Sequence, residues 1–560
     1  MSESVEKPNW AVTGKNMTFR ISFKTLILVL FCSLTWGLQA YTQESQKPSW
    51  VDQYQTPEFE FPQAGSKWQN ATAGRHPDWV HTLLNKWVAW DPRDHLSRLT
   101  PNCSAADLQS LLQRTQTDQQ FNSIYQKYSE RCGSESIKSF GPPYLGVLGM
   151  FAMKYNLDEN PFLRRTVIYL PNGQKIKAAL ALKDEKPRPF VILRMGITGN
   201  VEESFAERFF YYHMFERGFF HLLIVENMTS TDFISNNKTT DLGGIAEGYQ
   251  NIWLAQYLRN PAQKISRLIE SLHFVGLSLG GQGVLTAAWL QPAQRNPNLI
   301  QSFLGLCPLI NLKPTFDQLF NQGYLKYPLE FWARSRFQEA KKFRPEIYSG
   351  FFGLPQKVLE VNQKNFKKES AFFKVQEPAF IKNSDDYLFL HQLASWDPSL
   401  RNPVSIWVTS KDDIVDSKLN AFQLPQTFPL LIPQGQHCSF PVEWHPHVTQ
   451  ALFNAHILKN SKFVLRYPHQ EISSQQQSDW QFSSVVESNK ELIVQIKSKK
   501  SNQQIELPVL KQQIDFKFEK YPLGPYELGA LDRWFSTNLR IHYQKQGTSM
   551  TVTWPFVRIE

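Results

Sequence analysis

Residues 272–290 read LHFVGLSLGGQGVLTAAWL, a pattern that predicts a buried strand, a sharp turn and an apolar helix. The turn carries Gly276-Leu277-Ser278-Leu279-Gly280. A serine on such a turn has strained backbone geometry, and side chains two residues before and after it would collide, so both places require glycine. The helix amino terminus behind the hydroxyl favours developing negative charge. We therefore predict that Ser278 is a nucleophile, against the alternative of an ordinary glycine-rich turn.

Short apolar runs surround this stretch and alternate with helical patterns such as GIAEGYQNIWLAQYL. Two of these runs, TVIYLP and KIKAALAL, flank Asn172-Gly173 and predict a hairpin. The alternation predicts an α/β fold in which a mostly parallel sheet has helices on both faces. The other runs are PFVILRMGITGN (189–200), FHLLIVEN (220–227), FLGLCPLI (303–310), PVSIWVTS (403–410) and FPLLIPQG (428–435).

A base and an acid are needed beside the serine, because its hydroxyl is a weak nucleophile until its proton is removed. The acid is expected next in the chain and the histidine last. SKDDIVD (410–416) and GQHCSF (435–440) stand in that order, each just past a predicted strand. An open α/β sheet collects its site at the carboxyl ends of its strands. His437 is therefore the candidate base, whereas His273 lies inside the strand before Ser278 and is predicted to pack.

The elbow GLSLGG, the acid segment SKDDIVD and the histidine segment GQHCSF make residues 164–458 similar to the α/β-hydrolase superfamily, and to serine esterases and lipases in particular. The resemblance implies a Ser-His-Asp triad and acyl transfer to water, with no metal or organic cofactor. In such proteins a small apolar hook of the form D-x-I-V follows the acid. That pattern implies Asp412, with Asp413 as the alternative and Asp416 as a solvated turn residue.

The resemblance also implies an oxyanion hole made of two backbone N–H groups. One belongs to Leu279, the residue after the nucleophile. The other comes from the loop after the strand FVILR, where we favour Ile197 and place Gly196 close behind it. Relatives commonly have His-Gly where this chain has Met195-Gly196. This departure removes a side chain but leaves the backbone donors in place.

Four regions are predicted along the 560 residues. Residues 1–40 form a signal peptide or membrane anchor, residues 41–160 an N-terminal helical region, residues 161–458 the hydrolase domain, and residues 459–560 a C-terminal antiparallel β-domain. Within the third region, residues 311–402 lack buried strands and are rich in aromatic and basic side chains. They predict a helical, lid-like insertion, although a separately packed helical layer would give the same pattern.

The amino terminus predicts export to the periplasm or the medium. TLILVLFCSLTWGL (25–38) follows three basic residues and precedes Ala40, as in a secretory signal peptide. As a helix, these residues would span about 21 Å, short of the ~30 Å hydrocarbon core of a bilayer. Cleavage is therefore the favoured outcome, and residues 25–40 kept as an anchor are the alternative.

The net charge and the cysteine content limit the binding partners and metal sites that the sequence predicts. The formal net charge is +10, but the basic residues are scattered. This pattern disfavours nucleic-acid binding and leaves contact with an anionic membrane surface open. The five cysteines contain no CxxC and no zinc-finger spacing. In an oxidising compartment, Cys103 and Cys132 are a candidate disulfide pair.

The sequence thus predicts an exported serine hydrolase that acts on a small-molecule or lipid carboxylic ester. An aromatic insertion favours an apolar acyl group, although fold does not dictate substrate. Amide and peptide hydrolases use the same triad. A non-catalytic binding or envelope-assembly protein on the same scaffold is the third hypothesis.

Overall fold

The computed structural model describes about half of the chain. The described residues are 50–62, 105–132, 163–201, 214–215, 219–239, 244–321, scattered positions from 327 to 375, 404–409, 412, 414–421, 429–432, 437–438, 446–462 and the five strands after residue 479. None of the helices in these ranges has the length and apolarity needed to cross a bilayer. Residues 1–49, which include the predicted signal segment, lie outside the described ranges.

Fourteen strands occur in these ranges, and we number them in chain order. They are β1 (Phe59–Glu60), β2 (Leu163–Tyr169), β3 (Lys175–Ala181), β4 (Arg188–Arg194), β5 (His221–Val225), β6 (Ile269–Leu277), β7 (Ser302–Leu306), β8 (Val404–Thr409), β9 (Leu430–Ile432), β10 (Trp480–Glu487), β11 (Glu491–Ser498), β12 (Gln504–Leu510), β13 (Asn538–Lys545) and β14 (Thr548–Pro555).

Seven α-helices are described with them: α1 (Ala105–Leu112), α2 (Asp118–Cys132), α3 (Thr231–Asn237), α4 (Ile245–Leu258), α5 (Leu279–Leu290), α6 (Leu312–Phe316) and α7 (Pro446–Lys459). Short 3₁₀ turns cover Trp50–Tyr54, Lys264–Leu268, Gln291–Ala293, Gln338–Lys342 and Pro345–Tyr348, and a π turn covers Asp317–Asn321.

The first nine strands form one sheet in the order β1-β2-β3-β5-β4-β6-β7-β8-β9. The pairs from β5 through β4, β6, β7 and β8 to β9 are all parallel, whereas β1, β2 and β3 join antiparallel at one edge. The predicted hairpin is β2–β3, and its turn contains Gly173 at φ +81°. The mostly parallel sheet with the serine turn after β6 confirms the predicted α/β-hydrolase fold.

Helices cover both faces of the sheet, because its central strands are apolar on both sides. In β4, Phe190 and Ile192 pack with the helices of one face, whereas Val191 and Leu193 pack with those of the other. Residues of α3, α4 and α5 belong to the first core, and residues of α1, α2 and α7 belong to the second. Alternate side chains of a strand thus feed two separate cores.

The N-terminal region contributes more than the predicted helices. Its residues Phe59 and Glu60 pair with Ile168 and Val167, which adds an edge strand that the sequence analysis did not predict. Within the predicted N-terminal helical region, the structure describes the helices α1 and α2. At the start of α2, Asp118 accepts hydrogen bonds from Ser405 Oγ (2.9 Å) and Lys459 Nζ (2.8 Å). These contacts pack the N-terminal helices against β8 and α7.

Within residues 311–402, the described positions before β8 include short helical turns, and the insertion as a whole stays a prediction. Two of the aromatic residues in this region, Phe337 and Phe373, are buried in the core beside the sheet, whereas Phe372 is 50% exposed. The buried pair therefore stabilises packing, and the lid-like role stays a prediction.

The last five strands pair antiparallel among themselves. β11 lies between β10 and β12, and β13 pairs with β14. The C-terminal β-domain was predicted because five runs in residues 459–560 alternate apolar and polar side chains. Three of these runs, ELIVQIKSK, LRIHYQKQ and MTVTWPFVRI, overlap β11, β13 and β14. KFVLRY and IDFKFEKY fall outside the described residues, apart from Lys462 at the start of the first.

Candidate active site

Ser278 stands on the turn between β6 and α5. Its backbone has φ +50° and ψ −115°, a conformation that a non-glycine residue adopts only where its surroundings impose it. Two backbone hydrogen bonds impose it here: Ser278 N donates to Leu306 O (2.9 Å), and Leu309 N donates to Ser278 O (3.1 Å). The residue is 8% exposed and lies at the carboxyl edge of the sheet.

The two glycines of the turn are there for close approach, as the sequence predicted. A Cβ on Gly276 would collide with the Gly280 carbonyl, and a Cβ on Gly280 would collide with the Met195 carbonyl oxygen. Both neighbours are backbone atoms, which cannot rotate away as the end of a side chain can. The turn therefore packs directly against the end of β4.

Gly280→Ala should lower the free energy of unfolding by about 2 kcal/mol or more, because overpacking against rigid backbone forces the turn or β4 to shift. Gly173→Ala is the matched control: it also adds one methyl group, but nothing lies within 4 Å of that position, and its cost of about 1 kcal/mol comes from its positive φ alone. Urea denaturation of both variants measures the difference. Equal decreases in the free energy of unfolding of the two variants would show that the collision at Gly280 is relieved without a stability cost.

The structure brings Ser278, His437 and Asp412 into one hydrogen-bonded chain. His437 Nε2 lies 2.9 Å from Ser278 Oγ, and His437 Nδ1 lies 2.8 Å from Asp412 Oδ2. The imidazole is 14% exposed and the Asp412 side chain 1% exposed. A carboxylate at Nδ1 holds the proton there, which leaves Nε2 free to accept the serine proton.

The Asp412 carboxylate is fixed by its own turn. Its other oxygen, Oδ1, accepts the backbone N–H groups of Ile414 (3.0 Å) and Val415 (2.7 Å). This gives the D-x-I-V pattern a physical reason, since the residues after the acid orient it. Asp416 accepts the N–H of Lys418 (2.8 Å) and is a turn residue, as predicted, whereas Asp413 lies outside the described residues.

His273 packs inside β6, as the sequence predicted. Its two ring nitrogens lie 2.8 Å from Ser302 Oγ and 2.8 Å from Ser271 Oγ. Burial lowers the pKa of His273 to about 3, so the ring is neutral at physiological pH. Both ring contacts described for His273 are therefore to serines of β6 and β7 and not to Ser278.

The loop after β4 lies against the nucleophile. A Cβ on Gly196 would stand 3.3 Å from Ser278 Cβ and 3.2 Å from the Leu277 carbonyl oxygen, which leaves little room for a side chain. Among the described residues, no acceptor is found for the backbone N–H groups of Gly196, Ile197 or Leu279. These three predicted donors therefore remain available to an oxyanion beside Ser278.

Residues after β5, which the sequence analysis did not single out, clamp this loop. Asn227 Nδ2 donates to Met195 O (3.0 Å), and Asn227 N donates to Gly199 O (2.9 Å). Thr229 Oγ1 accepts the N–H of Thr198 (2.6 Å), a residue held at φ +60°. The loops that follow β4 and β5 meet here because the two strands are parallel neighbours whose carboxyl ends share one edge.

Buried charged residues contact Asn200 and Glu226, which flank these hydrogen bonds in the chain. Lys177 Nζ and Asp232 Oδ2 form an ion pair of 2.6 Å in which both side chains are almost fully buried. Asn200 Nδ2 donates to the same carboxylate oxygen (2.6 Å). Glu226 accepts the N–H of Lys177 (2.6 Å). Burial is the largest cause of its raised pKa, which is about 8, and repulsion by Asp232 is the second cause.

The free energy of unfolding should fall between about pH 4.5 and pH 8 because of Glu226. In this window the unfolded chain has released the proton, near its ordinary pKa of 4.5, while the folded chain still holds it. Rising pH therefore favours unfolding, by up to about 1.4 kcal/mol for each pH unit. Urea denaturation from pH 5 to pH 8.5 should give a flatter curve for Glu226→Gln than for the wild type. The exposed control Glu346→Gln should follow the wild type, and a Glu226→Gln curve parallel to the wild type would contradict the pKa.

A disulfide at the site is a second feature that the sequence analysis missed. The structure joins Cys307, directly after β7, to Cys438, directly after His437. Cys438 follows the predicted strand FPLLIPQG, but Cys307 lies inside the apolar run FLGLCPLI, so the sequence pattern alone did not place the two cysteines at one edge. The pair Cys103–Cys132, which the sequence suggested, lies outside the described side chains.

No protein-family model matches the sequence, and no curated protein matches it significantly. Solved structures similar to part of the chain include Est1E from Butyrivibrio proteoclasticus (17% identity over 52% of this chain and 98% of that chain, TM-score 0.30). The Pyrococcus furiosus esterase Pf2001 is 14% identical over 54% of this chain and 96% of its own, with TM-score 0.32. Porphyromonas gingivalis dipeptidyl peptidase 4 is 13% identical over 56% of this chain and 36% of its own, with TM-score 0.31.

The arrangement can support nucleophilic attack on a carbonyl carbon. A serine hydroxyl, an imidazole and a carboxylate lie in series, and the loop with Gly196 packs against the serine. Such a constellation is recognised by its geometry and by the roles of its members, not by the fold alone.

Proposed function

We propose that this protein is an exported serine hydrolase that cleaves carboxylic esters through an acyl-enzyme. Ser278 Oγ attacks the carbonyl carbon, and His437 Nε2 takes its proton. His437 then returns a proton to the leaving alcohol, and water repeats the sequence to release the acid. Asp412 holds the imidazole tautomer and stabilises its charged form. The hydrogen-bonded series from Ser278 to Asp412 is the observation that carries this proposal.

Backbone donors complete the proposed mechanism. As the tetrahedral intermediate forms, the N–H of Leu279 and that of Ile197, or of Gly196, stabilise the negative oxygen. Loss of one such donor typically costs about 3–4 kcal/mol of barrier. The clamp from Asn227 and Thr229 supports this role, because a donor must be held in place before the charge develops.

The substrate class we propose is a small-molecule or lipid ester with a short-to-medium acyl chain. Support comes from the sequence, in which residues 311–402 are rich in aromatic side chains, and from the net charge of +10, which suits an anionic membrane surface or envelope. Neither feature points to nucleic acid, because the basic residues are scattered along the chain. Export rests on the apolar segment at residues 25–38 and the basic residues before it.

Two measurements test the proposal. Covalent labelling by a fluorophosphonate, in which Ser278 Oγ displaces fluoride from phosphorus, tests for an activated serine. A screen of p-nitrophenyl esters of increasing acyl length, together with amide and peptide substrates, tests the bond that is cleaved. We expect labelling and turnover of short-to-medium esters. Turnover of amides in preference to esters would make the protein an amidase or peptidase, and absence of both labelling and turnover would favour a binding role.

A further inference from the structure

A disulfide attaches the segment of His437 to the strand edge beside Ser278. Cys438 follows His437 directly, and its Cα lies 5.5 Å from that of Cys307 although 131 residues separate them in sequence. Of the residues between β9 and α7, His437 and Cys438 are the described ones. The crosslink thus acts one residue away from the imidazole that contacts Ser278.

Cys307 is a firm anchor for this crosslink. It is 1% exposed, and its N–H donates to Trp407 O (2.7 Å), which ties it to β8. The residue before it, Leu306, accepts the N–H of Ser278 through its carbonyl oxygen (2.9 Å). The disulfide therefore links the histidine segment to the same stretch of backbone that holds the nucleophile.

The backbone at both half-cystines supports a positioning role. Cys307 has φ +42° and Cys438 has φ +49°, in the left-handed region that non-glycine residues rarely adopt. Ser278 and Thr198 share this property, so four of the six such residues in the described part of the chain surround this site. Strained backbone of this kind persists where the surroundings over-determine it, and it clusters at active sites.

We propose that the Cys307–Cys438 disulfide positions His437 for proton transfer from Ser278, so that full turnover requires the oxidised pair. This inference rests on the proposed function. Reduction by a dithiol such as dithiothreitol breaks the S–S bond. Two electrons and two protons pass from the dithiol to the two cysteines, and the dithiol closes into a cyclic disulfide. The Cys438 sulfur lies 3.3 Å from Leu306 O, so the freed thiol has an acceptor there, but the covalent link to the histidine segment is gone.

The first experiment compares one protein in two redox states. Mass spectrometry without reductant establishes the crosslinked peptide, and thiol counting follows its reduction. We expect reduction to lower kcat about 10- to 100-fold while KM changes less than about threefold, because a displacement of about 1 Å of a catalytic group can cost 10²-fold. The rate of fluorophosphonate labelling should fall in parallel, since it reports serine activation without substrate binding. Reoxidation should restore both rates.

Variants separate this pair from the other cysteines. Cys307→Ser/Cys438→Ser should have the activity of the reduced wild type and no response to dithiothreitol, whereas Cys103→Ser/Cys132→Ser should respond like the wild type. Thermal unfolding of each variant identifies loss of fold, and the wild-type redox comparison decides the question where a variant does not fold. A chelator is present throughout, because Cys307, His437 and Cys438 place ligand atoms within 4.8 Å of one another and free thiolates bind zinc.

The outcomes separate the inference from the function on which it rests. Unchanged kcat in fully reduced wild type, or free thiols at both cysteines in the oxidised protein, overturns the positioning role and leaves the hydrolase intact. Oxidised wild type that neither labels nor cleaves any ester overturns the proposed function and this inference with it.

Discussion

Ser278→Ala should lower kcat/KM for ester hydrolysis by roughly 10⁴- to 10⁶-fold and abolish fluorophosphonate labelling. The alanine removes Ser278 Oγ, which lies 2.9 Å from His437 Nε2, and no acyl-enzyme can form without it. The fold should survive, because the bonds that hold the turn run through the backbone N and O of residue 278, which alanine retains. Steady-state kinetics and gel fluorescence of the labelled protein measure the two losses.

Ser266→Ala is the matched control for that variant. Ser266 lies in the 3₁₀ turn Lys264–Leu268, before β6, and is partly exposed, so it tests removal of a serine hydroxyl away from the site. Its kinetics and labelling should equal those of the wild type. Labelling that persists in Ser278→Ala would place the reactive group on another residue and remove the basis of the proposed function.

Asp412→Asn should lower kcat by about 10⁴-fold with little change in KM. The Asn carbonyl oxygen can replace Oδ1, which accepts the N–H groups of Ile414 and Val415. The amide nitrogen then faces His437 Nδ1 in place of Oδ2 and donates a hydrogen bond to it. The imidazole is forced to carry its own proton on Nε2, where it can no longer accept the proton of Ser278. The Asp412→Asn site therefore keeps its geometry, but His437 no longer acts as the base.

Variants of two neighbouring carboxylates, Asp416 and Asp413, test whether the effect is specific to Asp412. The kcat of Asp416→Asn should stay within about twofold of the wild-type kcat. Among the contacts described for its side chain, Asp416 accepts a hydrogen bond from the N–H of Lys418 only. Asp413→Asn addresses the alternative acid that the sequence left open. A large loss in Asp413→Asn together with near-normal kcat in Asp412→Asn would reverse the assignment.

Much of the fold could be predicted from sequence because its signals are local. The hairpin β2–β3 follows from the alternation of apolar residues around Asn172-Gly173, and the parallel strands follow from short apolar runs between helical patterns. The edge strand β1 could not be predicted in this way. Two residues, Phe59 and Glu60, are too few to show a period, and they are extended because β2 offers them a free edge.

The residues of the candidate site also fall into those with a local sequence signal and those without one. The turn residues, the D-x-I-V hook and the histidine after a strand each have a local signature. Asn227 and Thr229 have none, since asparagine and threonine after a strand are ordinary loop residues. Their role appears only when β4 and β5 lie side by side. The raised pKa of Glu226 likewise depends on burial beside Asp232, which no nearby residue of the sequence specifies.

The sequence by itself determined the backbone at Ser278 and the chain order of the three polar groups, because steric collisions within a turn act over a few residues. Tertiary structure alone decided that the serine, imidazole and carboxylate meet at 2.9 and 2.8 Å, and that Cys307 lies beside Cys438. Residues more than a hundred positions apart come together only when two apolar cores form on opposite faces of one sheet. That packing fixes distances to tenths of an ångström, and sequence patterns do not encode distance.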